Sequence, residues 1–174
     1  MPSPDELAAV RDMLIELLPR LQRFALGLCR SRDDADDLVQ ATYERALSRL
    51  HQWQPGSRLD SWMYRIAQSI YFNRLKAEKV RRGYLQQQVD LDDHAVDGDA
   101  QAENALMLER LRHHVADLPD EQRVCLLLIV VEGLSYLEAS KVLDLPIGTI
   151  TSRLGRARIA LRERLQHAAS DCQS

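Results

Sequence analysis

The 174-residue chain is predicted to be all-α: two small helical domains joined by a flexible acidic linker. Three observations predict this. Apolar residues recur at three- and four-residue steps along most of the chain. Gly and Pro are few, and Leu, Ala and Val are plentiful, which favours helices. One central stretch loses the helical period altogether. The expected divisions are residues 1–88, a tether over 89–104, and residues 105–174.

Asp5 to about Arg30 reads as a helix with Leu14, Leu17, Leu18, Leu21, Phe24, Ala25 and Leu28 on its apolar face. Pro19 inside it predicts a kink or two abutting helices. Ser31-Arg-Asp-Asp is a turn and a helix start, with acids placed for the N-terminal dipole. The next helix covers about Ala35 to Leu50, with Leu38, Val39, Thr42, Ala46 and Leu50 inward. Its outer face carries Asp36, Asp37, Gln40 and Glu44, which suits plain solvation and docking of a basic partner about equally.

His51 to Asp60, with Trp53, Pro55, Gly56 and Ser57, reads as a loop. A long helix then runs from Leu59 or Asp60 to about Arg82. Trp62, Ile66, Ile70 and Leu75 keep helical spacing, with Met63, Tyr64, Tyr71 and Phe72 on flanking positions. Aromatics leading into cations are what single-stranded DNA binding uses, whereas helices more often bury such rings. Gly83 to Asn104 shows no sustained period and few residues that repay ordering.

Ala105 to Ala116 is again helical, with Leu106, Leu108, Leu111 and Val115 apolar. Asp120 is a candidate cap for a very apolar helix over about Glu121–Glu132, which Gly133 closes. Leu134 to Leu143 forms a short helix with Leu134, Leu137 and Val142 inward and a small Ala139. Pro146 suits the first turn of the last helix, where Ile147, Ile150, Leu154, Ala157 and Leu161 form one stripe. Thr149, Thr151, Ser152, Arg153, Arg156 and Arg158 lie largely off it. A basic-faced helical hairpin and a helix-turn-helix both fit that pattern; the second would place the last helix in a DNA major groove.

The formal net charge is −3, and its distribution is more informative than its size. Met1–Gln88 carries 14 Lys and Arg against 11 Asp and Glu; Val89–Asn104 carries six acids and no base; Ala105–Ser174 carries nine of each. Arg74, Lys76, Lys79, Arg81 and Arg82 face only Glu78 in sequence. Arg153, Arg156, Arg158, Arg162 and Arg164 face only Glu163. Two basic islands flanking an acidic tether suit DNA contact at two places. Cys29, Cys125 and Cys172 are odd in number and have no CxxC, which fits a reducing compartment; the first two read as buried thiols. The opening Pro, Ser, Asp and Glu do not form a signal peptide, and no apolar run approaches a membrane span. A cytoplasmic protein without membrane insertion is expected.

No phosphate loop, HExxH, Gly-x-Ser-x-Gly or metal-spaced Cys/His cluster occurs, and His113-His114 reads as a helix-surface pair. No catalytic residue, cofactor, metal or small-molecule substrate is therefore expected.

At three places the chain resembles the extracytoplasmic-function sigma factors of bacterial RNA polymerase. Asp34-Ala-Asp-Asp-Leu-Val-Gln-Ala-Thr resembles their polymerase-docking motif. Ser61-Trp-Met-Tyr-Arg-Ile-Ala-Gln-Ser resembles their −10 segment. Leu118-Pro-x-x-x-Arg, Glu132-Gly-Leu-Ser-Tyr-x-Glu-Ala and Pro146-Ile-Gly-Thr-Ile-x-Ser-Arg-Leu-x-Arg-Ala-Arg resemble region 4. The resemblance implies no catalysis. It implies that Asp36, Asp37, Leu38 and Gln40 meet the polymerase clamp. It places Trp62, Arg65, Ser69, Asn73, Arg74 and Lys76 near the −10 strand, and Thr151, Ser152, Arg153 and Arg156 in the −35 major groove. The implied partners are core RNA polymerase, promoter DNA and a membrane-anchored anti-sigma factor. Ser69, Gly155 and Thr151 depart from common family residues, which bears on promoter sequence. A sigma mimic that binds only an anti-sigma factor, and a stand-alone helix-turn-helix regulator, are the alternatives.

Overall fold

The computed structural model describes residues 4–84 and 101–171, with side chains over 9–83 and 107–166. The acidic run Asp90–Asp99 and Cys172 lie outside the described residues. Among those residues there are helices and short connections and no strand. The N-terminal domain is built from α1 (Pro4–Leu28), α2 (Arg32–Ser48), a 3-10 turn at Leu50–Gln52, and α3 (Leu59–Tyr84). The C-terminal domain contains α4 (Gln101–Ala116), α5 (Asp120–Leu126), a π turn (Leu127–Val131), α6 (Tyr136–Leu143) and α7 (Ile147–Asp171).

α1 runs unbroken through Pro19 and is not two helices. The proline withholds one N–H from the helix ladder, and the carbonyl it would have met belongs to exposed Ile15, where water can serve it. Leu14, Leu17, Leu21, Phe24, Ala25 and Leu28 are buried, but Leu18 faces out. α2 starts where Ser31 caps it, its Oγ accepting from the Asp34 N–H at 3.1 Å. Leu38, Val39, Thr42 and Ala46 pack inward, and Tyr43 Oη donates to the Leu14 carbonyl at 2.6 Å, fixing α2 on α1.

α4 begins at Gln101, so residues 101–104 of the expected tether are helical. Leu108 and Leu111 are exposed there, and only Val115 of the described apolar stripe packs inward. Asp120 does not cap α5; Pro119 holds that position and Asp120 lies in the first turn. Its carboxylate instead accepts from Tyr71 Oη at 2.6 Å and from Arg123.

The two domains share one apolar core. Phe24, Met63, Tyr64, Leu128, Val142 and Ile150 belong to a single buried cluster that draws on both. Tyr64 and Tyr71, expected on the flanks of α3, are buried at this seam. The Phe24 and Tyr64 rings lie 5.0 Å apart, tilted. At Gly27 the Leu127 side chain packs close against the α1 backbone, where an added Cβ would stand 2.5 Å from Leu127 Cδ2. The π turn then carries the chain to Glu132, whose N–H donates to the Leu127 carbonyl at 3.0 Å, five residues back. Gly133, at φ 73°, turns the chain into α6.

Phe24→Ala is expected to lower the unfolding free energy by about 3–5 kcal/mol, because it empties a fully enclosed site at the seam. Urea denaturation followed by circular dichroism measures it.

Candidate nucleic-acid interface

α3 carries the first candidate surface. Trp62, Arg65, Ser69, Asn73 and Lys76 are spaced three or four residues apart and so fall on one helix face. Arg65, Asn73 and Lys76 are exposed, and Trp62 and Ser69 half-buried. Arg74 lies off this stripe: its guanidinium donates to the Asp37 carbonyl at 3.3 Å and ties α3 to α2. Trp62, Arg65 and Ser69 line a cleft of about 510 Å³ together with Arg45, Arg49 and Trp53. No carboxylate lines it. The Trp53 Nε1–H is buried and without a hydrogen-bond partner among the described residues. Two indoles and three guanidiniums can stack an unpaired base and hold its phosphates. Arg45, Arg49 and Trp53 were not among the residues expected from sequence. Arg45 and Arg49 stand four apart at the end of α2, and Trp53 follows four residues later, and that spacing was the available signal.

The rim of this surface is tied to the other domain. Arg58 pairs with Asp60 at 2.6 Å and with Glu138 of α6. Arg65 donates to the Lys141 carbonyl of α6. Burial raises the Asp60 carboxyl, but the Arg58 hydrogen bond, the Ser61 N–H and the charges of Arg58 and Arg20 outweigh burial and hold it below the usual carboxylate range. Glu138 is lowered by its hydrogen bond from the Ser135 N–H, then by Ser135 Oγ and Arg58.

The second surface is the α6–α7 hairpin. Ser135 caps α6 and Glu138 closes the capping box. Asp144, in left-handed geometry at φ 53°, ends the helix. Leu134, Ala139, Val142, Ile150, Leu154 and Ala157 are buried, whereas Leu137 and Ile147, expected inward, face solvent. This is helix-turn-helix geometry. Thr151, Ser152 and Arg156 are exposed along α7. The Thr151 and Ser152 hydroxyls donate to the Ile147 and Thr149 carbonyls at 3.0 and 3.1 Å, leaving their lone pairs outward. Arg153 differs from expectation: it pairs with Glu121 of α5 at 2.6 Å and is mostly buried, so it braces α7. Arg164 does the same further along, donating to the His114 carbonyl at 2.9 Å.

On α2, Asp36, Asp37 and Gln40 are exposed on one side. Leu38, placed among the polymerase contacts by the resemblance, is 1% exposed and belongs to the core. It supports that face and does not present itself. Burial pushes the Cys29 thiol up to about 12 and the Cys125 thiol up to about 11. Among the described residues no group of three or more His, Cys, Asp or Glu is placed to hold a metal, and no helix is long and apolar enough to cross a membrane.

Asp60→Asn is expected to destabilise the chain at pH 7. A depressed carboxylate contributes above its unfolded value of about 3.9, and the contribution is lost as pH falls through the lower folded value. The gap to wild type therefore narrows as pH falls below the unfolded value, which urea midpoints at neutral and acidic pH test.

Comparison with known proteins identifies the family of both domains. The Sigma-70 region 4 family matches residues 108–161, and the Sigma2 domain of PhyR matches residues 14–68. The chain is 34% identical over 169 residues to the ECF RNA polymerase sigma factor EcfG of Rhodopseudomonas palustris, covering 92% of this chain and 86% of the relative. Among solved structures it is similar to the sigma factor RpoE in complex with the anti-sigma factor NepR from Bartonella quintana. That match has a TM-score of 0.80 and 28% identity over 91% of this chain and 97% of the other. CnrH, solved with the cytosolic domain of CnrY, shares the fold at a TM-score of 0.65 and 24% identity, over 92% and 90% of the two chains. With two helical domains, an aromatic–basic cleft on one and a helix-turn-helix on the other, the chain belongs to the extracytoplasmic-function sigma factors.

Proposed function

We propose that the chain is a promoter-specificity subunit that binds core RNA polymerase in the cytoplasm and has no catalysis of its own. The observation that carries this is the carboxylate-free cleft of two Trp and three Arg between α3, the end of α2 and the loop that follows it, found in the same chain as a helix-turn-helix with Thr151, Ser152 and Arg156 exposed. The N-terminal domain, residues 1–88, docks on polymerase through Asp36, Asp37 and Gln40. Its α3 stripe holds the −10 strand. Unstacking a base costs a few kcal/mol, and stacking on the cleft indoles with phosphate contacts from arginine offsets that. The C-terminal domain, from residue 105, reads duplex −35 DNA with the start of α7. There Arg156 can take guanine by two hydrogen bonds or hold a phosphate. An anti-sigma factor is the proposed inhibitor, since a structurally similar sigma factor is solved bound to one.

A second reading has one observation in its favour: residues 14–68 match the sigma-like domain of PhyR. A mimic of that kind binds an anti-sigma factor and no promoter. Both basic surfaces, with Arg45, Arg49 and Arg65 in the cleft, favour the first reading.

Run-off transcription with purified core polymerase on genomic DNA separates them. Promoter-dependent transcripts are expected, and their absence from a chain that still binds an anti-sigma factor supports the mimic. Arg156→Ala is expected to weaken −35 duplex binding by about 1–3 kcal/mol. An unchanged footprint and transcript yield count against that role.

A further inference from the structure

The α3 cleft carries more positive charge than one strand of DNA requires. Arg45 and Arg49 from the end of α2 and Arg65 of α3 line it, and the rest of its lining is uncharged. Guanidiniums drawn out of solvent elsewhere in the molecule meet a carboxylate: Arg123 meets Asp120, and Arg153 meets Glu121. Arg45 is half-buried and Arg49 exposed, and neither side chain has an ion pair or hydrogen bond among the described residues. Arg65 donates to the Lys141 carbonyl, which takes a hydrogen bond and leaves the charge whole. Three like charges in one concavity repel one another, and the low-dielectric walls concentrate their field on an entering anion.

Charge and size together select the occupant. A strand brings about one negative charge per nucleotide. A terminal phosphate carries about two at pH 7, and each further phosphate adds about one. A nucleotide with two or more phosphates therefore balances three guanidiniums, and a nucleotide inside a strand does not. The volume of about 510 Å³ falls in the range of small-molecule pockets. Trp62 of α3 and Trp53 in the loop after α2 give the cleft aromatic walls, on which the wider purine ring gains more than a pyrimidine. The Trp53 Nε1–H lacks an acceptor, so a small shift of its loop that supplies one is favourable. We propose that the cleft is a binding site for a free purine nucleotide bearing at least two phosphates, with the base on the tryptophans and the phosphates on Arg45 and Arg49.

The cavity exists with the two domains packed on each other, so the site needs no separation of them to form. Its residues are shared with the −10 reading above, and the consequence of binding rests on that reading. A bound nucleotide and the −10 strand exclude one another, which makes promoter use sensitive to nucleotide concentration. The binding itself does not rest on it.

Both of the chain's two tryptophans line this cleft, so tryptophan emission from the full chain reports on it alone. Emission excited beyond the adenine band is titrated with ADP, adenosine and inorganic pyrophosphate. ADP is expected to change it saturably and to bind about tenfold tighter than either fragment. Arg49→Ala and Arg45→Ala are each expected to weaken ADP about tenfold, with far-UV circular dichroism checking that helix content is retained. Arg49 is exposed, so its truncation leaves the core intact. Arg81→Ala, in the last turn of α3, removes the same charge outside the cleft and is expected to leave ADP binding unchanged. No saturable response to millimolar ADP overturns the site. Pyrophosphate as tight as ADP overturns the base contact, and adenosine as tight overturns the phosphate contact. A loss in Arg81→Ala equal to that in Arg49→Ala reduces the effect to net charge and also overturns the site. ADP binding that leaves affinity for fluorescein-labelled single-stranded DNA of random sequence unchanged overturns the competition. ADP binding in a chain that supports no run-off transcription upholds the nucleotide site and defeats the sigma-factor reading instead.

Discussion

Leu127 occupies the space that a side chain on α1 would need. Because position 27 is glycine, the Leu127 side chain of the π turn can lie against the α1 backbone. The rest of the seam follows from that contact. Leu128 is carried into the core beside Phe24 and Tyr64, and the extra residue in the π turn sets the phase in which Glu132 points inward while Val130 and Val131 point out. A regular α-helical continuation would place these residues on different faces.

Apolar and polar contacts at the seam do different work. The apolar side chains remove area from water and stabilise contact in many relative orientations. The buried Arg20–Glu132–Tyr64 and Arg123–Tyr71–Asp120 groups tolerate few orientations, because each misplaced donor or acceptor loses its partner away from solvent. The closed arrangement is thus chosen by polar geometry and supplied with free energy by packing. Burial raises the Tyr64 phenol, and the Glu132 hydrogen bond adds to the rise, so the hydroxyl stays a donor.

Much of the fold was legible in the sequence. Ser31, Pro146 and Gly133 marked element ends correctly because capping and backbone preferences act within a few residues, whereas the helix read from Leu134 starts at Tyr136 with Ser135 as its cap. The errors fall where distant partners decide. Leu18, Leu137 and Ile147 keep helical period yet face solvent, since a period fixes the centre of a stripe and not how far a neighbour covers its edge. Tyr64 and Tyr71 were placed on the flanks of α3 because the partners of their hydroxyls, Glu132 and Asp120, come from beyond position 115. Arg153 looked free because Glu121, its partner, is on another helix. Of the candidate site, the α3 stripe and the exposed start of α7 were readable. The cleft was not, because it needs α2 and the following loop to fold back over α3.

α7 has 25 residues and is about 37 Å long, far more than a major groove engages. Thr151, Ser152 and Arg156 cluster near its start, while Arg153 and Arg164 brace it against α5 and the end of α4. On the proposed reading, recognition and anchorage therefore fall on different faces of a single rod. If that proposed reading holds, substitutions at the exposed positions retune which promoters are read at little cost to folding, so a lineage carrying this helix is free to shift its regulon without rebuilding the domain.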